Sequence, residues 1–166
     1  NVVNQMIYSY DNDGAGKALM SVQETRSSGF SNSGVALEQF VVTYADADRT
    51  QFLEAKRTVN SDISSSGNVG HMEVSTYKTA SIADAVTKGD KAGAITLTTL
   101  LDKQVIDTAA KDFDDRGNAL KQTIVKEYFD EKGGSIGIET QVITNEPFSI
   151  HDRTSKSTIL NYEGKG

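Results

Sequence analysis

The chain repeats part of its own sequence, and this internal repeat limits the possible folds more than any other feature. When Leu19–Thr43 is laid over Asp102–Lys126, at an offset of 83 residues and without gaps, eight positions are identical. The identical residues are apolar or turn-forming types, which fix the path of a backbone. They are Val22 and Val105, Thr25 and Thr108, Phe30 and Phe113, Gly34 and Gly117, Ala36-Leu37 and Ala119-Leu120, Gln39 and Gln122, and Val42 and Val125.

Two shorter matches extend the repeat. Gly67–Tyr77 overlies Gly34–Tyr44 at an offset of 33. At an offset of 85, Leu53, Glu54, Asn60 and Tyr77 overlie Ile138, Glu139, Asn145 and Tyr162. The sequence therefore predicts one repeat array, divided into units 6–32, 33–65, 66–115 and 116–150 and a partial unit, 151–166.

The composition of each unit favours short strands joined by turns. Stretches rich in β-branched and aromatic residues are separated by clusters of Gly, Asn, Asp and Ser, and the chain has only one proline, Pro147. We therefore predict an all-β fold, in which antiparallel β-hairpin repeats stack into an extended sheet or spiral. The predicted strands are Met6–Asp11, Lys17–Thr25, Val35–Tyr44, Phe52–Asn60, Gly67–Tyr77, Leu100–Asp107, Thr123–Phe129, Ile136–Asn145 and a last strand ending near Tyr162.

The connections differ between units. Arg26–Gly34 and Ala109–Gly117 are predicted linkers, each with one phenylalanine that plugs the neighbouring unit. Lys78–Thr99 is predicted to be a long insertion before the return strand. Within it, residues 81–89 are typical of a short helix, with Ser81 as its cap and Gly89 as its stop.

Two features of this interpretation have alternatives. The four-residue spacing of Leu97, Leu101 and Val105 also fits a helix over 95–128, although the match to the β-rich Val35–Thr43 favours strands. The strand from Val35 is partly apolar on both faces. We predict that its inward face carries Leu37, Gln39, Val41 and Thr43 and that its outward face carries Ala36, Glu38, Phe40 and Val42.

Charge and composition bear on partners and location. The net charge is −6 and no basic block is present, which disfavours nucleic acid and anionic membranes as partners. No apolar run is long enough to predict membrane insertion. The chain has no cysteine and does not begin with methionine, which is compatible with a processed, exported bacterial product or with a piece of a longer array. We expect an extracellular or cell-surface location.

Acidic residues recur in the turns, at Asp11 and Asp13, at Asp46 and Asp48, and at Asp112, Asp114 and Asp115. Converging carboxylates are typical of calcium sites, and Asp112-x-Asp114 begins like a calcium loop. Arg116 stands at a ligand position of that loop, however, and Thr123 stands where a bidentate glutamate belongs. We predict solvated turns, with calcium as a weak alternative.

No other residues form a pattern that points to chemistry. His71 and His151 lack a second ligand at metal spacing, the serines at 27–28 and 64–66 lack a nucleophile turn, and Gly14 and Gly16 lack a phosphate-loop lysine. We therefore assign no catalytic, cofactor-binding or metal-binding residue. Gln39 and Gln122 occupy matching positions, where they are expected either to ladder through their amides or to face water.

Several turns resemble the tyrosine-aspartate repeats of RHS and teneurin proteins. The resemblance rests on Tyr10-Asp11-Asn12-Asp13-Gly14, Asp112–Leu120 and Tyr128-Phe129-Asp130 followed by Gly133-Gly134. Long hairpin-repeat proteins of uncultured bacteria are similar to the chain as well. The resemblance implies hairpins that coil into an extended sheet or a shell, and a role in an envelope, fibre or adhesive surface.

The array predicts a structural protein, not an enzyme. We expect an extracellular fibre, sheath or surface layer that forms by strand pairing between copies of the chain. The first alternative is a calcium-dependent adhesin or carbohydrate-binding module that uses Lys78–Thr99 as its contact surface. The second alternative, implied by the resemblance, is a fragment of an RHS-like shell that encloses a toxin.

Overall fold

The computed structural model describes residues 3–12, 17–82 and 95–164, and these residues form one antiparallel sheet of nine strands. The strands follow one another in chain order, so each pairs with the next. The all-β hairpin array predicted from the sequence is therefore confirmed. The strands are β1 (Asn4–Asn12), β2 (Lys17–Phe30), β3 (Ala36–Tyr44), β4 (Phe52–Ile63), β5 (Val69–Ile82), β6 (Ile95–Asp107), β7 (Lys121–Phe129), β8 (Ser135–Asn145) and β9 (Ser157–Glu163).

The region with a helical alternative is extended. Residues 95–107 and 121–129 are strands, separated by one 3-10 turn at Ala110–Asp112. The predicted insertion also changes, because its two ends belong to strands β5 and β6. Ser81, the predicted cap, is a strand residue, and residues 83–94, which hold most of the predicted helix, lie outside the described residues.

The register of the ladder shows that β2–β5 and β6–β9 are two copies of one four-strand unit. Ala55–Asn60 of β4 pairs with 72–77 of β5, and Thr140–Asn145 of β8 pairs with 157–162 of β9, so every pair is shifted by 85. Two side chains mark the same equivalence. The Asn60 Nδ2 donates to the Ala36 carbonyl oxygen, and the Asn145 Nδ2 donates to the Ala119 carbonyl oxygen, both at 2.9 Å.

The ungapped match at an offset of 83 is wrong over its first part. Gln23 pairs with Thr43, and Gln104 pairs with Lys126, so β2 corresponds to β6 at an offset of 81. The offset becomes 83 only from Phe30 and Phe113 onward. The reason is the 3-10 turn at Ala110–Asp112, which adds two residues to the second unit where β2 continues as strand. The predicted linker from Arg26 is accordingly strand as far as Phe30.

Each described hairpin at one end of the sheet contains a β-bulge. The register shifts by one residue at Tyr10, Tyr44, Tyr77 and Phe129, which leaves one extra residue on the return strand. A bulge bends its strand and increases the local right-handed twist, so each of these hairpins is more twisted at this end. The extra residues are Met20, Leu53, Leu101 and Ile136, and all four are apolar and exposed.

The inward face predicted for β3 is wrong. Val42 is fully buried and Tyr44 is nearly so, whereas Leu37 on the opposite face is 41% exposed. Val42, Tyr44 and Ala55 form a small cluster, against which Phe52, Tyr77, Ala80 and Leu97 pack. The sequence pattern could not decide between the faces because both are partly apolar.

Most of the sheet is a single layer. The chain exposes 10446 Å², whereas a compact monomer of 17.9 kDa exposes roughly 8,000 Å². The prolonged ends of β5 and β6, beyond Tyr77 and Leu100, supply Ala80 and Leu97 to the cluster. The described residues contain no helix long and apolar enough to cross a bilayer.

Candidate functional site: two exposed edge strands and the turns that hold the sheet

The sheet has two open edges, β1 and β9. Within the described part of the chain, β1 pairs only with β2, and β9 pairs only with β8. Every residue of β9 is exposed, as is every residue of β1 from Gln5 to Asp11. Each edge therefore presents a row of backbone N–H and C=O groups that can pair with another strand.

Among the described residues, no basic side chain, proline or covering element blocks either edge. Natural edge strands are commonly blocked by lysine, proline or a covering element. The β1 sequence, NQMIYSYDN, and the β9 sequence, STILNYE, contain no lysine, arginine or proline. Both strands also expose large apolar side chains, namely Met6, Ile7, Tyr8 and Tyr10 on β1 and Ile159, Leu160 and Tyr162 on β9.

Five turns share one geometry, in which the first residue fixes the loop. The backbone N–H of the first residue donates to the carbonyl oxygen of the fifth, and its own carbonyl oxygen accepts the backbone N–H of the fourth. Its side-chain oxygen accepts the backbone N–H of the fifth residue. The fourth residue has a positive φ, as in a type I turn closed by a left-handed residue. The first residues are Ser31, Ser64, Asp114, Asp130 and Ser149, and the fourth are Gly34, Gly67, Gly117, Gly133 and Asp152.

Four of these turns lie side by side at one end of the sheet. The Gly67 backbone lies against Ser33 of the preceding turn, and Gly117 lies against the Asn68 side chain. Arg116 donates to the Ser149 carbonyl oxygen at 2.6 Å and pairs with Asp152 at 2.9 Å. Adjacent repeats are thus joined by side-chain contacts as well as by the ladder.

The turn carboxylates are occupied by hydrogen bonds within their own loops. Asp46 accepts hydrogen bonds from the Thr50 hydroxyl and from the backbone N–H groups of Thr50 and Gln51. The bond from the Thr50 hydroxyl is the largest cause of the lowered Asp46 pKa. Asp114 accepts from Asn118 and from the Arg116 backbone, and its pKa is lowered chiefly by the Asn118 side chain. These carboxylates shape turns.

The calcium-like loop that begins at Asp112 joins two neighbouring turns. Its Arg116, which stands at a ligand position, binds Ser149 and Asp152 of the next turn. Among residues 3–12, 17–82 and 95–164, no three His, Asp or Glu side chains converge in a way that could hold a metal ion. Asp13 lies outside the described residues.

The two histidines lie in different environments. His71 Nδ1 is 2.6 Å from Asp107 Oδ1, and Nε2 is 3.5 Å from Glu73 Oε1. The hydrogen bond with Asp107 is the largest cause of a raised His71 pKa, and Lys103 lowers the Glu73 pKa from the other side. His151 lies exposed in the last turn, where its backbone N–H donates to Ser149.

Other residues singled out in the sequence have structural contacts. Gln39 donates to the Ser27 hydroxyl and Gln122 donates to the Thr108 hydroxyl, both at 3.1 Å. Gln39 thus bonds to strand β2, and Gln122 bonds to the residue that follows β6, so the two glutamines do not form a ladder. Phe30 and Phe113 are half-buried and occupy the last cross-strand pair before their turns. The three serines at 64–66 belong to the turn between β4 and β5.

A buried charge cluster was missed by sequence analysis. Glu24 and Arg26 are each only 2% exposed; Glu24 bonds Arg26 at 2.6 Å and Arg49 at 3.0 Å. Arg49 comes from the turn between β3 and β4, which folds over this part of the sheet. No sequence signal places the turn that carries Arg49 above β2.

A comparison of the chain with protein-family models, with curated proteins and with solved structures finds no match in any of the three. The geometry of the edges, the turns and the charge cluster is therefore the basis for a functional hypothesis.

Proposed function

We propose that this chain is a structural protein that associates with copies of itself through its edge strands, as part of an extracellular fibre, sheath or surface layer. The observation that carries the proposal is the pair of exposed, apolar edge strands without protecting residues, at the ends of a sheet that is largely one layer thick. Strand addition supplies backbone hydrogen bonds at such an edge, and apolar side chains add burial. A second copy offers both.

The repeat architecture supports a structural role in a second way. The turns at one end of the sheet recur at equivalent positions, and each strand pairs only with the next, so each unit makes its contacts with its immediate neighbours along the sheet. Such an array needs no central core and lengthens without changing its cross-section. Fibres and layers require this property.

The alternatives have less support. A calcium-dependent adhesin needs free carboxylates, but Asp46 and Asp114 are engaged by their turns. The segment Lys78–Thr99, expected to be a contact surface, is strand at 78–82 and 95–99, and its central residues, 83–94, lie outside the described residues. In an RHS-like shell fragment, a following hairpin of the same sheet would pair with β9. That alternative therefore also requires an edge strand able to accept another strand.

Light scattering and sedimentation over a wide concentration range, with electron microscopy of the same samples, test the proposal. We expect concentration-dependent assemblies with an elongated form. Lysine at the centre of β1, as Ile7→Lys, should suppress them because an edge lysine must be desolvated on pairing. Lysine at the exposed turn residue Ser65 is the matched control and should have no effect. A monomer at every concentration would refute the proposal.

A further inference from the structure

The first strand and the fifth strand occupy the same place in the repeat. Seven consecutive pairs of the β1–β2 ladder match seven pairs of the β5–β6 ladder, and the bulge at Tyr10 matches the bulge at Tyr77. The shift is 67 residues for the first strand of each hairpin and 81 for the second. The matched pairs run from Asn4–Arg26 to Tyr10–Leu19 and from His71–Asp107 to Tyr77–Leu100.

The ninth strand occupies that place too, because β5 and β9 are related by the shift of 85. Combining the two shifts, 67 and 85, places β1 over β9 at an offset of 152. At that offset Gln5–Asp11 (QMIYSYD) overlies all seven residues of β9, Ser157–Glu163 (STILNYE). Ile7 falls on Ile159 and Tyr10 on Tyr162, and the acidic residues Asp11 and Glu163 coincide. This likeness supports the equivalence independently of the ladder.

The equivalence limits how two copies can join. Because nine strands alternate in direction, β1 and β9 point the same way. If the next copy continued the sheet by translation, β9 against its β1 would be a parallel pair, with a different hydrogen-bond pattern from every pair in the chain. It would also place two strands of the same type side by side.

Pairing of β1 with β8 of another copy avoids both problems. Strand β8 is antiparallel to every strand of the β1 type, and it already pairs with such a strand, β9. In that position Ile7 would lie opposite Ile143, as Ile159 does, and Tyr10 would lie opposite Thr140, as Tyr162 does. The following strand, β2 of the incoming copy, then continues the repeat in phase.

Strand β9 is the least firmly held strand of the sheet. It is seven residues long, pairs on one side and is exposed throughout. Its side chains contribute few bonds to β8, such as Gln141 Nε2 to Asn161 Oδ1 at 3.0 Å. Strands with few buried contacts open at low free-energy cost, so β9 can leave β8 without unfolding the sheet.

We propose that copies of this chain join by strand replacement, in which β1 of one copy displaces β9 and pairs with β8 of the next. The inference rests on the proposed self-association and specifies its partner surface. The product is a continuous antiparallel sheet with the four-strand period preserved across the junction, and each junction releases one β9 strand.

A disulfide that ties β9 to β8 tests the displacement step. The chain has no cysteine, so the variant Ile143→Cys/Ile159→Cys introduces one cross-strand pair and no competing thiol. We expect oxidation to slow assembly about a hundredfold, because a disulfide across a loop of this size strongly disfavours the opened strand. Reduction with dithiothreitol should restore the original rate. Thr58→Cys/Val74→Cys, the same register position in the first unit, is the matched control and should assemble at the unmodified rate in both redox states.

The outcomes separate this inference from the proposed function. Assembly of the oxidised Ile143/Ile159 variant at the unmodified rate would overturn strand replacement and leave edge addition in place. Equal slowing of both disulfide variants would also overturn it, since the block would not depend on β9. If the unmodified chain does not assemble at all, the proposed function and this inference both fail.

Cross-linking gives a second measurement that does not depend on a locked strand. Positions 7 and 143 lie seven strands apart within one copy, roughly 34 Å along the sheet, so a disulfide between them joins two copies. We expect an equimolar mixture of Ile7→Cys and Ile143→Cys chains to form the mixed dimer in preference to either homodimer. A mixture of Ile7→Cys and Ile159→Cys should not. The reverse preference would show direct pairing of β1 with β9 and refute the proposal.

Discussion

In the first four-strand unit, Val22 and Val42 are fully buried, whereas the same register positions of the second unit hold Lys103 and the half-buried Val125. Tyr44 is replaced by Glu127 and Ala55 by Thr140. Even so, both units have the same strand order, and the ladders between their first two strands and between their last two strands have the same pairing and the same closing turns. The comparison shows that the backbone path does not depend on an apolar core.

The paths coincide because the shared features are local. Glycine at the fourth turn position, an oxygen-bearing side chain at the first, and the asparagines at 60 and 145 recur in both units. These residues specify where a strand ends and which strand it pairs with. The core of the first unit is an addition, which forms where the turn carrying Arg49 and the ends of β5 and β6 cover the sheet.

The largest expected effect concerns the buried charges of the first unit. Glu24→Gln should lower the free energy of unfolding by about 3 kcal/mol, because it leaves the buried Arg26 guanidinium without its counter-charge. Val105 occupies the same register position in the second unit and is half-buried, so Val105→Gln should cost less than about 1 kcal/mol. Urea unfolding of both variants measures the difference. Equal losses would mean that the two units are equally dependent on burial.

A smaller effect tests the apolar part of the same comparison. Val42→Ala should cost about 2 kcal/mol, because it removes fully buried methyl groups and leaves a cavity. Its counterpart Val125→Ala should cost no more than about 1 kcal/mol, since water already reaches that side chain. Thermal and urea unfolding report both values. A larger loss at Val125 would place the effective core in the second unit.

The sequence predicted the strands and the turn glycines because both are set by neighbouring residues. It did not predict which face of β3 is buried, because Leu37 and Val42 are equally apolar and their burial is decided by what packs above them. The offset of 81 between β2 and β6 was missed because the sequences were matched without gaps at an offset of 83. That offset is right from Phe30 and Phe113 onward and hides the two residues added by the turn at Ala110–Asp112. The edges were expected from the unpaired first and last strands, but the equivalence of β1 and β9 became visible only through the register.

The last comparison sets the pair that includes buried Arg26 in the β1–β2 ladder against the half-exposed pair at the same position of the β5–β6 ladder. Asn4 opposite Arg26 corresponds to His71 opposite Asp107. Because the bond with Asp107 raises the His71 pKa above its unfolded value, the stabilisation is complete below that value and is lost as the pH rises through the folded pKa.

From pH 6 to pH 8 the protein should therefore lose a fraction of about 1 kcal/mol through His71, a small amount because water screens the pair. His71→Asn, which copies Asn4 of the β1–β2 ladder, should abolish this slope, and His151→Asn in the exposed turn should retain it. Urea midpoints measured across this range decide the matter. A slope that persists in His71→Asn would assign the pH dependence to other groups and remove this difference between the two ladders.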